Sequence, residues 1–226
     1  MEKTRPAHEA LSIGILLSMV GGFLEAYTFL LRGGVFCNAQ TGNIVLMTIS
    51  MVQGDWTRAL YYPIPIAAFF LGILLTAAMR RRLSGARLIA WEHWLLLIEI
   101  ALLFLVGFLP QGRLDPAANV VVSFICSMQY NTFRQAQGDP YASTFCTNNL
   151  RLAAENLYRR AKDGDRDAGR RCARYLRFIL CFCLGTVLGV LLAAPLGVHS
   201  IWACCGLLAT ALLLLFLMAR RGRYSA

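Results

Sequence analysis

Six apolar runs of about twenty residues constrain this chain more than any other feature. They cover 10–31, 60–79, 88–109, 117–133, 175–194 and 200–219. A helix rises ~1.5 Å per residue, so each run is long enough to cross the ~30 Å hydrocarbon core of a bilayer. Only 15% of the residues are charged and 58% are hydrophobic, against roughly 25% charged in a soluble domain. The expected fold class is all-α, a polytopic membrane helix bundle. Pro63 and Pro65 fall in the first turns of their run, where proline does least harm. Trp56, Trp91 and Trp94 suit membrane interfaces.

The formal charge of +10 is spread between spans rather than over one face, so it predicts topology and no nucleic-acid partner. Basic residues gather at the N-terminus (Lys3, Arg5), in the 80–87 loop (Arg80, Arg81, Arg82, Arg87), over 159–177 and at Arg220, Arg221 and Arg223. The positive-inside rule puts all four regions in the cytoplasm. Two shorter apolar helices are expected at 43–52 and 149–158. If these also crossed, the 80–87 loop would face outward. If they enter and leave on one side, six full crossings place both termini inside. The first run holds Glu25 and lacks a small-residue cleavage site, so it is expected to be a retained span rather than a signal peptide.

Each short helix follows a polar stretch that hydrocarbon tolerates only where protein or water satisfies it. The first is 33–43, Gly-Gly-Val-Phe-Cys-Asn-Ala-Gln-Thr-Gly-Asn; a weaker copy occupies 141–149. At an offset of 106, Thr41 aligns with Thr147, Asn43 with Asn149, Leu46 with Leu152 and Glu25 with Asn131. Two inverted repeats follow, 1–112 and 113–226, each reading span, re-entrant half-helix, span, span, in one membrane domain. Inverted repeats with interrupted helices are a recurring plan of secondary transporters. Both half-helix N-termini are expected near the midplane, where unpaired N–H groups and the helix dipole favour an anion or polar ligand. The candidate binding residues are Gln40, Thr41, Gly42, Asn43, Asn131, Thr147, Asn148 and Asn149. Thr41 and Thr147 are expected as N-caps, and Gly42 as a point of close ligand approach. The competing reading is that these groups cap helices and bind nothing.

Ionisable residues inside a membrane segment are functional candidates. Glu25 is expected either to take up a proton in step with transport or to pair with Arg32 or Arg151. Glu99, between Ile98 and Ile100, is a buried acid or a cross-helix partner. Arg134 joins the charge set or snorkels to the inner interface. Arg151 and Glu155, four apart, pair on one helix face. The alternating charges of 162–167 predict a solvated loop. Cys126, Cys181, Cys183, Cys204 and Cys205 lie in apolar runs, with no C-x-x-C and scattered histidines, so no metal site or cofactor is expected. No nucleotide loop or Ser–His–Asp set appears, and the chain is not expected to be an enzyme.

Three blocks, Gly22-Phe23-Leu24-Glu25-Ala26-Tyr27, Arg32-Gly33-Gly34-Val35-Phe36 and Ala39-Gln40-Thr41-Gly42-Asn43, resemble the signature of the YoaK-type or DUF1275 family. Met128-Gln129-Tyr130-Asn131-Thr132-Phe133-Arg134 and Cys146-Thr147-Asn148-Asn149-Leu150-Arg151 extend the resemblance over nearly the whole chain. Glu25 stands where the family usually has Asp, and Thr147-Asn148-Asn149 where it more often has Thr-Gly-Asn. The resemblance implies a bacterial inner-membrane protein of about six spans and names no substrate. The expected function is a small secondary transporter or facilitator of a small anion or polar metabolite. The alternatives are a passive channel of the same architecture, or a non-transporting assembly or lipid-binding protein. Gly21, Gly22, Gly185 and Gly189 invite close helix packing, within one bundle or in a homodimer.

Overall fold

A computed structural model describes residues 5–83, 91–141, 143, 146–220 and 224–225. Lys3, Arg87, Leu88, Ala142, Thr144, Phe145, Arg221 and Arg223, which entered the expectations above, lie outside the described residues. The chain forms helices α1 (Leu11–Leu31), α2 (Gln40–Val52), α3 (Trp56–Ala59), α4 (Pro63–Leu83) and α5 (Trp91–Val106). Next come α6 (Asp115–Thr132), α7 (Cys146–Asp163), α8 (Arg166–Leu196) and α9 (Trp202–Arg220). The few strand residues form two-residue pairings, so the all-α expectation holds.

Three stretches among the described residues are long and apolar enough to cross a membrane: Leu11–Leu31, Trp56–Arg81 and Arg166–Ala219. Large apolar side chains also cover the outside. Phe70, Leu71 and Leu74 on α4, Leu180, Leu184 and Leu191 on α8, and Leu213 and Phe216 on α9 are all exposed. So dense an apolar exterior marks a membrane protein.

Helix α1 lies at the centre. It runs parallel to α8, with Gly14 against Phe178, Gly22 against Phe182 and Gly189 against Ala26. Helix α4 runs parallel to α6: Gly72 meets Phe124 and Ser127, and Asn131 Nδ2 donates to the Ile73 carbonyl at 3.4 Å. Helices α5 and α9 are antiparallel, for Trp202 Nε1 donates to Phe104 O at 3.1 Å while the tilted rings of His93 and Phe216 meet at 4.5 Å. The main core is built from these helices, with Phe23, Leu24, Leu95, Leu103, Val122, Ile125 and Leu208 at its heart. At the chain ends, Arg5–Pro6 pairs in parallel with Tyr224–Ser225.

Arg32 closes α1 and ties three elements together. Its guanidinium, fully buried, donates to Tyr27 Oη (2.7 and 3.0 Å), to the carbonyls of Val106 (3.3 Å), Leu109 (2.9 Å) and Pro110 (3.2 Å), and to Asp115 Oδ1 (3.0 Å). The cation thus faces the carbonyls at and just past the end of α5, where positive charge is favoured. Its own carbonyl accepts from Asn119 Nδ2 (2.7 Å) and Tyr61 Oη (3.2 Å).

The two short helices differ from expectation. Helix α2 starts at Gln40, not at 43, and has 13 residues. Helix α7 has 18 residues and extends to Asp163, so it is not a ten-residue half-helix. Arg159, Arg160, Ala161 and Lys162 favour helix, and the helix stops only where Gly164 takes φ 68°. Asp165 then caps α8, accepting from the N–H groups of Asp167 (2.8 Å) and Ala168 (3.1 Å). The solvated loop expected over 162–167 is therefore a two-residue turn in an antiparallel helix pair. Asn156 Oδ1 accepts from Arg171 Nε at 3.0 Å across that pair. With 31 residues, α8 is about 46 Å long and exceeds a bilayer core.

Candidate functional site

After Arg32 the chain turns back alongside α1 instead of leaving it. Asn38 Nδ2 donates to the Gly21 carbonyl at 3.4 Å, so this residue stands beside the middle of α1. From there α2 begins and runs back toward Asp55. Two side chains hold the descent in shape. Asn43 Nδ2 donates to Phe36 O (2.6 Å) and Gln40 Oε1 (2.8 Å), and its Oδ1 accepts from Phe36 N–H (2.9 Å). Gln40 Nε2 donates to the Cys37 carbonyl at 2.9 Å.

Glu25 organises the start of α2. Its Oε1 accepts from the Ala39 N–H at 2.8 Å, and its Oε2 from the Asn38 N–H at 3.4 Å and the Cys37 thiol at 3.5 Å. The residue is 8% exposed. A helix N-terminus leaves N–H groups unpaired and carries partial positive charge, and a carboxylate answers both. The chain's own carboxylate thus stands at the entry to α2, beside the place where a ligand is expected. The pairing of Glu25 with Arg32 or Arg151 does not form, since Arg32 holds Asp115 and Arg151 holds Glu155 at 2.5 Å.

The start of α7 approaches the same carboxylate from the opposite direction. Cys146 lies near enough to Glu25 and to Cys183 of α8 to interact with both electrostatically. Leading to it, Ser143 Oγ is 3.5 Å from Gln129 Nε2, which also reaches the Leu17 carbonyl at 3.4 Å. The first residue of α7 thus lies within electrostatic range of the carboxylate that meets the entry to α2.

Beside Glu25 lies a cavity of about 390 Å³ between α1, α8 and the descending segment, walled by Phe29, Phe36, Phe182, Thr186 and Val190. Phe29 and Phe36 stack at 4.9 Å, forming the wall that joins α1 to the segment. The Thr186 hydroxyl donates to Gly22 O and Phe182 O at 3.1 Å, so the wall presents little polarity besides Glu25.

Several expected ligand contacts have other duties. Ala39, not Thr41, is the N-cap residue of α2, and Thr41 is exposed in the first turn. A Cβ on Gly42 would sit 2.8 Å from Phe36 Cδ2, so this glycine makes room for the Phe36 ring. Thr147, Asn148 and Asn149 form the first turn of α7, because that helix begins at Cys146. Asn148 Oδ1 accepts from Arg151 at 3.3 Å, and Asn149 is buried. Asn131 binds Arg134 and the Ile73 carbonyl. Arg134 is exposed. Glu99 is buried away from this site on α5. The residues that sequence reasoning missed are Cys37, Asn38 and Ala39. Their role comes from backbone geometry, and the only signal was the acid one to two turns before a Gly-rich segment.

A family model described as "Protein of unknown function (DUF1275)" matches residues 13–214. No curated protein and no solved structure matches the chain.

Proposed function

We propose that this chain, which belongs to the DUF1275 family, is a small proton-linked secondary transporter whose anionic ligand competes with Glu25 for the α2 N-terminus. One observation carries this reading: a buried carboxylate in the second half of a membrane-crossing helix accepts from the N–H groups of the two residues that lead into a short helix, beside a cavity. When Glu25 takes up a proton, those N–H groups lose their anionic partner and favour another. A ligand anion entering the cavity then takes the seat, and one proton accompanies one anion. Return of the Glu25 charge expels it.

The architecture supports this reading. Directions of α1, α4, α5, α6, α8 and α9 alternate as six crossings require, with α2 and α7 each entering and leaving on one side. The pairing of 5–6 with 224–225 suits termini on a common side, which the arginine clusters assign to the cytoplasm. Exchanging the halves maps the parallel pair α1–α8 onto α6–α4. In each pair a glycine packs on a backbone carbonyl of the first span: Gly185 on Met19 O and Gly72 on Phe124 O. That is the correspondence an inverted repeat produces.

Purified protein in vesicles, offered a panel of inorganic anions and small organic acids, tests the reading. Uptake driven by a pH gradient is expected for some of them, and Glu25→Gln, which keeps size but not charge, abolishes the pH-driven part. Uptake equally pH-driven in Glu25→Gln sinks the proposal, and conductance that survives the substitution means a channel. A non-transporting scaffold is the second reading. It is favoured by Asn43, whose side-chain oxygen and nitrogen are both bonded within the chain, and it gives no flux for any solute.

Access from the inner side has its own test. The first turn of α7 lies beside Cys183, where Asn148 is partly exposed and Leu150 is exposed. With Cys146 and Cys183 changed to alanine, Asn148→Cys is expected to react with a charged thiol reagent applied to the cytoplasmic face. Leu150→Cys, facing lipid, does not, because a thiolate does not form in hydrocarbon. Equal labelling of the two removes the aqueous approach.

A further inference from the structure

The cavity beside Glu25 narrows the class of ligand that it can hold. Its volume is about 390 Å³, more than twice the roughly 150 Å³ of an engineered apolar cavity that binds benzene. Three aromatic rings stand in its walls: Phe29 and Phe36, stacked at 4.9 Å, and Phe182 of α8. Leu30 and Val190 add to the apolar lining. Phe29, Leu30 and Val190 are exposed, and so are Val187 and Leu191 next to Val190 along α8. The cavity therefore opens on the apolar flank of the bundle, between α1 and α8.

Its polar groups are few and of one kind. The Thr186 hydroxyl is engaged with the Gly22 and Phe182 carbonyls. The Ala39 N–H meets Glu25 Oε1 at 2.8 Å and the Asn38 N–H meets Oε2 at 3.4 Å. One donor for each oxygen suits a carboxylate, and a carboxylate is the group that these donors hold in the folded chain. Among the described residues no lysine or arginine lines the cavity, and Arg32 and Arg151 are paired with Asp115 and Glu155. A second negative charge on a ligand would be buried there without a partner, which is costly. A small hydrated anion would lose its water to apolar walls and leave them unfilled.

We propose that the ligand of this site is a monocarboxylic acid with an apolar body of about ring size. Its carboxylate takes the Ala39 and Asn38 N–H groups from Glu25, and its body fills the space lined by Phe29, Phe36 and Phe182. The inference rests on the competition for the α2 entry proposed above and adds a substrate class to it. One carboxylate replaces another at the same donors, so the donors alone select little. Selection comes from the walls: each added methylene moves apolar surface out of water until the body outgrows the cavity.

Calorimetric titration of the full chain in lipid nanodiscs tests this, with Glu25→Gln, which lacks the competing carboxylate, beside the parent. Acetate, butyrate and hexanoate are expected to bind Glu25→Gln with affinities rising about fourfold per methylene. Adipate, of the same chain length as hexanoate but with a second carboxylate, is expected to bind about a hundredfold more weakly. 1-Hexanol, which lacks the charge, is expected to lose about tenfold. Titrations into empty nanodiscs remove partition into lipid. Val190→Trp, added to Glu25→Gln, narrows the mouth from an exposed position and is expected to abolish the dependence on chain length; Leu30→Trp makes the same comparison from α1. Affinities independent of chain length, or adipate and phosphate binding as tightly as hexanoate, overturn the inference. The transporter reading then still stands if those polar anions bind Glu25→Gln more tightly than the parent. Hexanol binding as tightly as hexanoate also overturns it, and makes the cavity a groove for lipid tails. If no anion binds Glu25→Gln more tightly than the parent, the competition itself is absent and both readings fall.

Discussion

Arg32→Met is expected to destabilise the folded protein by about 3–5 kcal/mol, the cost of breaking a buried ion pair from one side. The guanidinium is fully buried, and its loss strands the Asp115 carboxylate, which is itself only 13% exposed in its side chain. The Tyr27 hydroxyl and the carbonyls of Val106 and Leu109 lose donors in the same step. Methionine fills most of the volume, so the effect reads polar stranding rather than a cavity. Arg32→Lys is expected to recover only part, because an ammonium cannot span the Tyr27 hydroxyl and the Asp115 carboxylate as a planar fork does. Thermal unfolding in detergent gives the numbers, and a double-mutant cycle with Asp115→Asn isolates the pair. If Arg32→Met melts like the parent, Arg32 is not the tie that joins α1 to the turn between α5 and α6.

That tie also marks where sequence reading stopped. The end of α1 was legible, because apolarity ends at Leu31 and an arginine follows. The partner was not: Asp115 lies 83 residues away, whereas Glu25 on the same helix is the acid that the sequence offers first. The same limit hid the capping role of Glu25. Its polarity inside an apolar run marked it as important, but its hydrogen bonds go to backbone N–H groups, which no side-chain pattern announces. The polar segment at 33–43 was correctly tied to a short helix, yet its start fell three residues late. Residue preference selects Thr41 as N-cap, whereas Ala39 occupies that position and its own N–H meets the Glu25 carboxylate. For α7 the sequence suggests a helix ending at 158 and a solvated loop over 162–167. Arginine, alanine and lysine are good helix formers wherever water meets one face, and only Gly164 and the capping Asp165 end the helix.

Close packing of α1 on α8 supports the second large expected effect, because these helices form two walls of the cavity beside Glu25. A Cβ on Gly22 would lie 2.0 Å from the Phe182 carbonyl oxygen, and one on Gly185 would lie 2.0 Å from that of Met19. Both obstacles are backbone, so no rotamer change relieves them. In a bilayer the helices gain little from excluding water, and their association depends on close contact of this kind. Gly22→Ala and Gly185→Ala are each expected to force the pair apart and to cost about 1–3 kcal/mol, with valine at the upper end. They share one seam, so the double variant should cost less than the sum, since the first substitution already opens the space that the second needs. Gly206→Ala on α9, where nothing lies within 4 Å, is the control and is expected to stabilise the helix by about 0.5–1 kcal/mol. Separation at Gly22 also pulls away the Thr186 hydroxyl that bonds its carbonyl at 3.1 Å, widening the cavity wall next to Glu25. Melting temperatures of Gly22→Ala and Gly185→Ala that match Gly206→Ala would mean that α1 and α8 do not approach this closely in the bilayer, and the cavity between them would lose its definition.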